Sequence, residues 1–142
     1  MPAIVDGADA ANHLLQTSTV SAVFELMRRA SIALVGIGEI SPRATVFRHG
    51  VIPAARIEKI AASGAVGTIC GWFYGADGKV ISTEFDQRTL SVAPAVLKTI
   101  PTRVGVAMHA AKARAVRGAI AGGWVNAVGL DAETADELLK LK

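Results

Sequence analysis

The sequence predicts an α/β fold: a mostly parallel sheet flanked by helices, with one β-hairpin excursion. Three observations lead there. Short apolar runs rich in branched side chains alternate with Ala-rich stretches of helical period, the rhythm of strands joined through helices. Glycine and proline punctuate the joins, at Pro53, Ser63-Gly64 and Gly122-Gly123. Ala76-Asp77-Gly78 breaks the rhythm with a hairpin signal.

The elements follow in chain order. Residues 6–16 read as a helix with Asp6 as its N-cap. Residues 21–30 form a second, with an apolar face of Val20, Val23, Phe24 and Met27, and with Arg28-Arg29 at the negative end of the dipole. Residues 32–37 read as a buried strand. A loop broken by Pro42 spans 38–51, and a helix with proline in its first turn spans 53–62. Residues 66–74 read as one strand, so the consecutive Trp72, Phe73 and Tyr74 face alternate sides. Cys70 falls mid-strand as a small core residue. Residues 79–83 return from the hairpin turn. Residues 88–92 are a short strand, with Glu84, Asp86 and Arg88 pairing charges at the hairpin exit. A short helix at 94–99, a strand at 103–108, a helix at 109–121 and a strand at 125–130 follow. Asp131 caps a last helix, whose Ala135, Leu138 and Leu139 share a face. No repeat or composition shift interrupts the chain, so one domain is expected over 1–142.

Composition narrows the function classes. Of 142 residues, 51% are hydrophobic and 19% charged, and the mean hydropathy is +0.41, which excludes an intrinsically disordered chain. No run of about 18 apolar residues is free of charge, so no transmembrane helix and no membrane partner is expected. Asp6 and Asp9 stand where a secretory signal carries Lys or Arg, and the expected compartment is the cytoplasm. The single cysteine makes no internal disulfide and builds no zinc site alone. The net charge of +3 comes from scattered basic residues, enriched only at Arg28-Arg29 and in the Arg43, Arg48 and Arg56 group. That reads as a solvated basic surface rather than a nucleic-acid interface. Surplus apolar surface suits oligomerisation.

The segment richest in chemistry is 104–123: strand, tight turn, helix. Open α/β sheets bind ligands at the carboxyl ends of their strands, where helix N-termini offer free N–H groups. Lys112 falls on the helix face of Ala115, Val116, Ala119 and Ile120, with Arg114 and Arg117 opposite. The dipole disfavours an inward cation in a first turn. Either a bound anion such as phosphate compensates, or the side chain reaches along the sheet edge to water. Gly36-Ile37-Gly38 is a tight turn bringing backbone close to a ligand. It is not a dinucleotide fingerprint, because Ser41 holds the third glycine position and Pro42 follows. Asp131 sits at a strand's carboxyl end, as a cap and as a carboxylate able to meet sugar hydroxyls or orient Lys112. His13, His49 and His109 lie in different elements without metal-ligand spacing. No catalytic-triad order, HExxH, CxxC or phosphate-loop motif occurs. Neither a cofactor nor a metal site is expected, and Trp72, Phe73 and Tyr74 read as core rather than as a sugar-site wall.

Five motifs then stand in one order: Ala33-Leu-Val-Gly-Ile-Gly38; Gly64-Ala-Val-Gly-Thr-Ile69; Asp77-Gly78; Val104-Gly-Val-Ala107 with Lys112; and Gly122-Gly123 followed by Asn126, Asp131 and Thr134-Ala135. Together they resemble the sugar-binding effector domain of SorC-type bacterial transcriptional regulators, over nearly the whole chain. The resemblance implies a Rossmann-like sheet of the NagB/RpiA/CoA-transferase-like class. It implies a module that senses a phosphorylated sugar and adjusts a homo-oligomer, dimer or tetramer. It places Lys112 at the phosphate side, Asp131 near the effector, and Gly36 and Gly38 in the turn. His109 and Thr68 stand where the family carries glycine and aspartate. Met108-His109 replaces the family's Gly-Gly, putting two side chains where bare backbone would approach a ligand. Leu130, Ala132 and Ala121 replace further polar residues of the family. The resemblance also implies a helix-turn-helix and a first half of the effector domain preceding this segment, so DNA contact is expected only outside it. The alternatives are a ligand-free structural dimerisation domain and a sugar-phosphate isomerase- or deaminase-like enzyme. Asp131 with His109 is the one acid–base pair on offer, without motif support, so the non-enzymatic reading is preferred.

Overall fold

The computed structural model describes residues 3–44 and 52–141. Strands β1 (Ile32–Gly36), β6 (Thr102–Ala107) and β7 (Ala127–Leu130) form a parallel sheet in the order β1-β6-β7. Strands β2 (Gly38–Glu39), β3 (Ala65–Ile69), β4 (Trp72–Gly75) and β5 (Val80–Ile81) form an antiparallel sheet in chain order. The expected parallel sheet is present, and the excursion is larger than one hairpin. The helices are α1 (Ala8–Gln16), α2 (Ser18–Arg28), α3 (Ile57–Ala62), α4 (Pro94–Thr99), α5 (Ala113–Ala121) and α6 (Ala132–Lys140). Of the expected loop at 38–51, residues 45–51, with Arg48 and His49, lie outside the described residues.

Helix α5 is the centre of the molecule. Its Ala115, Val116 and Ala119 share one core with Val35, Ala107 and Val125 of the parallel layer and with Ile69 and Tyr74 of the antiparallel sheet. Small residues make that sandwich close. A Cβ on Gly67 would fall 2.8 Å from the Ala115 Cβ, and one on Gly118 would fall 2.8 Å from the Gly75 oxygen. Tyr74 donates its hydroxyl to the Ala115 carbonyl at 3.0 Å, so the buried phenol is satisfied. The hairpin turn rests on the far end of α5. Trp124 Nε1 donates to the Gly78 carbonyl at 2.7 Å. A Cβ on Gly78 would come within 2.2 Å of the Gly122 Cα. Phe73, on the opposite face of β4 from Tyr74, joins Ile57, Ile60, Ala65 and Phe85 in a second core.

Several expectations are corrected. Residues 66–74 are not one strand: Cys70 (φ 53°) and Gly71 (φ 83°) form a two-residue turn between β3 and β4. Cys70 is therefore not mid-strand. Residues 88–92 form no strand. The Asp86 carboxylate accepts the Thr83 N–H at 3.2 Å and the Ser82 and Thr83 hydroxyls, which curls 86–88 into a 3-10 turn. Glu84 pairs with Arg56 at 3.2 Å rather than with Arg88, which lies over the Phe85 ring. Gly7, not Asp6, precedes α1, without a side-chain cap. Val23, Ile120 and Leu139 are exposed: α2 and α6 press only one edge of their apolar stripes onto the core, and Ile120 lies outside the buried face of α5. Strand β1 is buried on one face only. Val35 is covered, while Ile32 and Leu34 are 65% and 73% exposed.

Candidate functional site

A cavity of about 690 Å³ opens at the carboxyl ends of β1 and β6, the position where parallel sheets present loops and helix starts to ligands. Three segments build it. The turn after β1 contributes Gly36, Ile37, Gly38, Glu39, Arg43 and Ala44. The β3 end and its turn contribute Thr68, Cys70 and Gly71. The turn after β6 contributes His109, Ala111 and Lys112. Five of the six residues singled out from the sequence, Gly36, Gly38, Thr68, His109 and Lys112, thus line one space.

Each is held there by local chemistry. Gly38 pairs with Thr68 across β2 and β3, and a Cβ at Gly38 would fall 2.7 Å from the Thr68 Cγ2. Glycine there lets the first turn approach the β3 end. Thr68 is 4% exposed, and among the described residues its Oγ1 has no hydrogen-bond partner. A buried hydroxyl without a partner costs about 1–3 kcal/mol. Lys112 ends the 3-10 turn Ala110–Lys112 that leads into α5. It is half-buried and, among the described residues, has no carboxylate partner. The inward direction read from helical periodicity agrees with this position. His109 holds φ 85°, a conformation that L residues rarely adopt. Met108 points outward, 56% exposed, and does not line the cavity. Met108-His109 therefore leaves the space open.

Asp131 does not line the cavity. It caps α6, accepting the Thr134 N–H at 3.0 Å, and its other oxygen accepts the His109 N–H at 3.2 Å. The Thr134 side chain and N–H, then the His109 N–H, hold its carboxyl below the ordinary carboxylate range. It makes no ion pair with Lys112 and acts on the cavity through the backbone of His109. Phe73 and Tyr74 stay in the core, and Trp72 donates its indole N–H to Val92 at 2.9 Å. The sequence reading missed Glu39, Arg43, Cys70 and Gly71. Only Arg43 left a signal, as part of a basic enrichment. Burial raises the Cys70 thiol above its ordinary value.

A parallel α/β sheet carrying such a cavity at its strand ends belongs to the ligand-binding class of open-sheet domains. The sugar-binding domain family model matches residues 1–140, and the chain belongs to that family. The transcriptional regulator LsrR of Escherichia coli (strain K12) is 37% identical over 142 residues, which are 98% of this chain and 45% of that protein. The full-length sorbitol operon regulator SorC from Klebsiella pneumoniae matches in structure with a TM-score of 0.91 and 28% identity, over 99% of this chain and 46% of that one. A DeoR family transcriptional regulator from Listeria monocytogenes matches with a TM-score of 0.91 and 27% identity, over 97% and 56%. The SorC-type resemblance and the fold class read from the motifs are borne out. The chain spans about half the length of the curated relatives it matches. Among the described residues, no helix is long and apolar enough to cross a membrane.

Proposed function

We propose that this chain is the effector-sensing and oligomerising part of a cytoplasmic, sugar-responsive transcriptional regulator, that its effector is a phosphorylated sugar, and that it is not an enzyme. One observation carries the reading. A single cavity combines a lysine and a buried hydroxyl that, among the described residues, lack a carboxylate and a hydrogen-bond partner respectively. Lys112, with Arg43, supplies the charge that an anion needs at this helix start. Thr68 and Glu39 offer a hydroxyl and a carboxylate to sugar hydroxyls, and Gly36 and Gly38 leave backbone bare for close approach. Asp131 sets the His109 turn at the cavity rim. The relatives' names as regulators support the non-catalytic reading.

The test is a thermal-shift panel of ribose, fructose, glucose, xylulose and glycerol phosphates, with the free sugars and inorganic phosphate as controls. A ligand at about 100 times its Kd adds about 2.7 kcal/mol of stability, visible as a rise in Tm. The expected result is a shift by one phosphorylated sugar that Lys112→Ala abolishes and that the free sugar does not give. The same ligand should slow alkylation of Cys70, the one cysteine, because that side chain lines the cavity. A flat panel together with unchanged alkylation refutes the reading.

A further inference from the structure

His109 carries more than a place in the cavity wall. Its spacing in the sequence shows no metal-ligand pattern, yet the fold supplies one. Strands β6 and β7 are parallel neighbours, so the turns that leave them lie side by side. That brings His109, after β6, to Asp131 and Glu133, after β7. One ligand atom from each lies within 4.8 Å of the others.

The backbone around this trio is set against a histidine. The φ of 85° at His109 strains a side-chain-bearing residue and leaves glycine at ease. The side chain must repay that. The Asp131 carboxylate is held in one orientation by two N–H donors, from His109 and Thr134, and a carboxylate so held keeps lone pairs for a further partner. The wholly buried Thr134 side chain stands behind the same carboxylate. Carboxylates oriented from behind by hydroxyl and N–H groups are what metal-binding carboxylates have.

We propose that His109, Asp131 and Glu133 bind a divalent first-row transition cation, Zn²⁺ above all, at the rim of the cavity. One imidazole and two carboxylates form a nitrogen–oxygen donor set of net charge −2, suited to such an ion rather than to Mg²⁺ or Ca²⁺. Four-coordinate bonds of about 2.0–2.2 Å set ligand atoms about 3.4 Å apart, so atoms up to 4.8 Å apart must close by more than an ångström. His109 and Glu133, both exposed, have the freedom to do so. Three protein ligands leave a coordination position open, as in zinc sites that take up an exogenous oxygen. His109 also lines the cavity. The proposal stands apart from the sugar reading: the ion binds whether or not a sugar does.

The experiment is a calorimetric titration of the intact chain with Zn²⁺ alone, repeated with Co²⁺ and followed by visible absorption. His109→Gly is the main variant. It removes the ligand and relaxes the backbone, so its Tm without metal should equal or exceed that of the wild type. Glu133→Gln removes the second carboxylate, and His13→Ala, in α1, is the control. The expected result is a single site, weakened at least about tenfold by His109→Gly and by Glu133→Gln and untouched by His13→Ala. No heat up to millimolar Zn²⁺ overturns the proposal. So does undiminished binding in either His109→Gly or Glu133→Gln, or an equal loss in His13→Ala.

Discussion

Asp131 ties two turns together, and its protonation state can be read in stability. Its folded carboxyl lies below the ordinary value of about 3.9. Its contribution is therefore complete above the ordinary value and is lost as pH falls through the folded one. Asn caps a helix as well as Asp does, so Asp131→Asn removes the charge and keeps the cap. Urea midpoints should separate wild type and Asp131→Asn at pH 7 and draw together as pH falls below the ordinary carboxylate range. An equal gap across the whole range would mean that the charge contributes nothing. Asp131 and Lys112 were both legible in the sequence, one from a cap before an apolar stripe, the other from helical phase. Thr68 was singled out only through the resemblance: a threonine in an apolar run gives no sign that its hydroxyl will lack a partner. Glu39 and Arg43 lie in a stretch read as loop, where no period tells which side chain turns inward.

At the scale of elements, two turns decide the antiparallel sheet. The Cys70-Gly71 turn needs positive φ at both residues, and cysteine is poorly suited to the first. Cys70→Asn should therefore raise stability by about 0.5–1 kcal/mol, checked by denaturant unfolding. A loss would show that the thiol packs better than its backbone conformation implies. The second turn, at Gly78, meets the end of α5 backbone to backbone. A Cβ on Gly122 would lie 2.4 Å from the Gly78 oxygen and 2.6 Å from its Cα. No flexible side chain can give way there, so Gly122→Ala should cost about 3 kcal/mol. Wild-type stability in that variant would mean that the turn is free to lift off the helix. Both glycines were legible as punctuation, one as hairpin and one as helix stop. Their mutual contact was not, because turn signals are local and carry no partner. The break at Cys70 was hidden for a related reason: cysteine at positive φ has no sequence signature, and Gly71 alone reads equally well as a strand glycine.

At the scale of the molecule, the parallel sheet is dressed on one side. Val35 and Ala107 meet α5, whereas Ile32, Leu34 and Val106 face solvent. Parallel sheets are normally covered on both faces, and an open apolar face favours association. Leu34→Lys should leave stability within about 0.5 kcal/mol, since the side chain is exposed. It should lower the mass found by sedimentation at high protein concentration. An unchanged mass would remove this face as the contact between copies. Sequence alone read β1 as a fully buried strand, because branched residues on both faces are what a doubly covered strand shows.

The pairing of β1 with β6 sets Ile32 against Thr102, so the whole antiparallel sheet lies in the loop that this pairing closes. Long-range closure of that kind is slow and comes late in folding. The cavity, built where those two strands end, is then among the last features to form and the first to open. A bound effector would therefore act as a latch on the way out. It should slow unfolding in proportion to its affinity while leaving the rate of folding almost unchanged, so that occupancy is read by the lifetime of the folded chain.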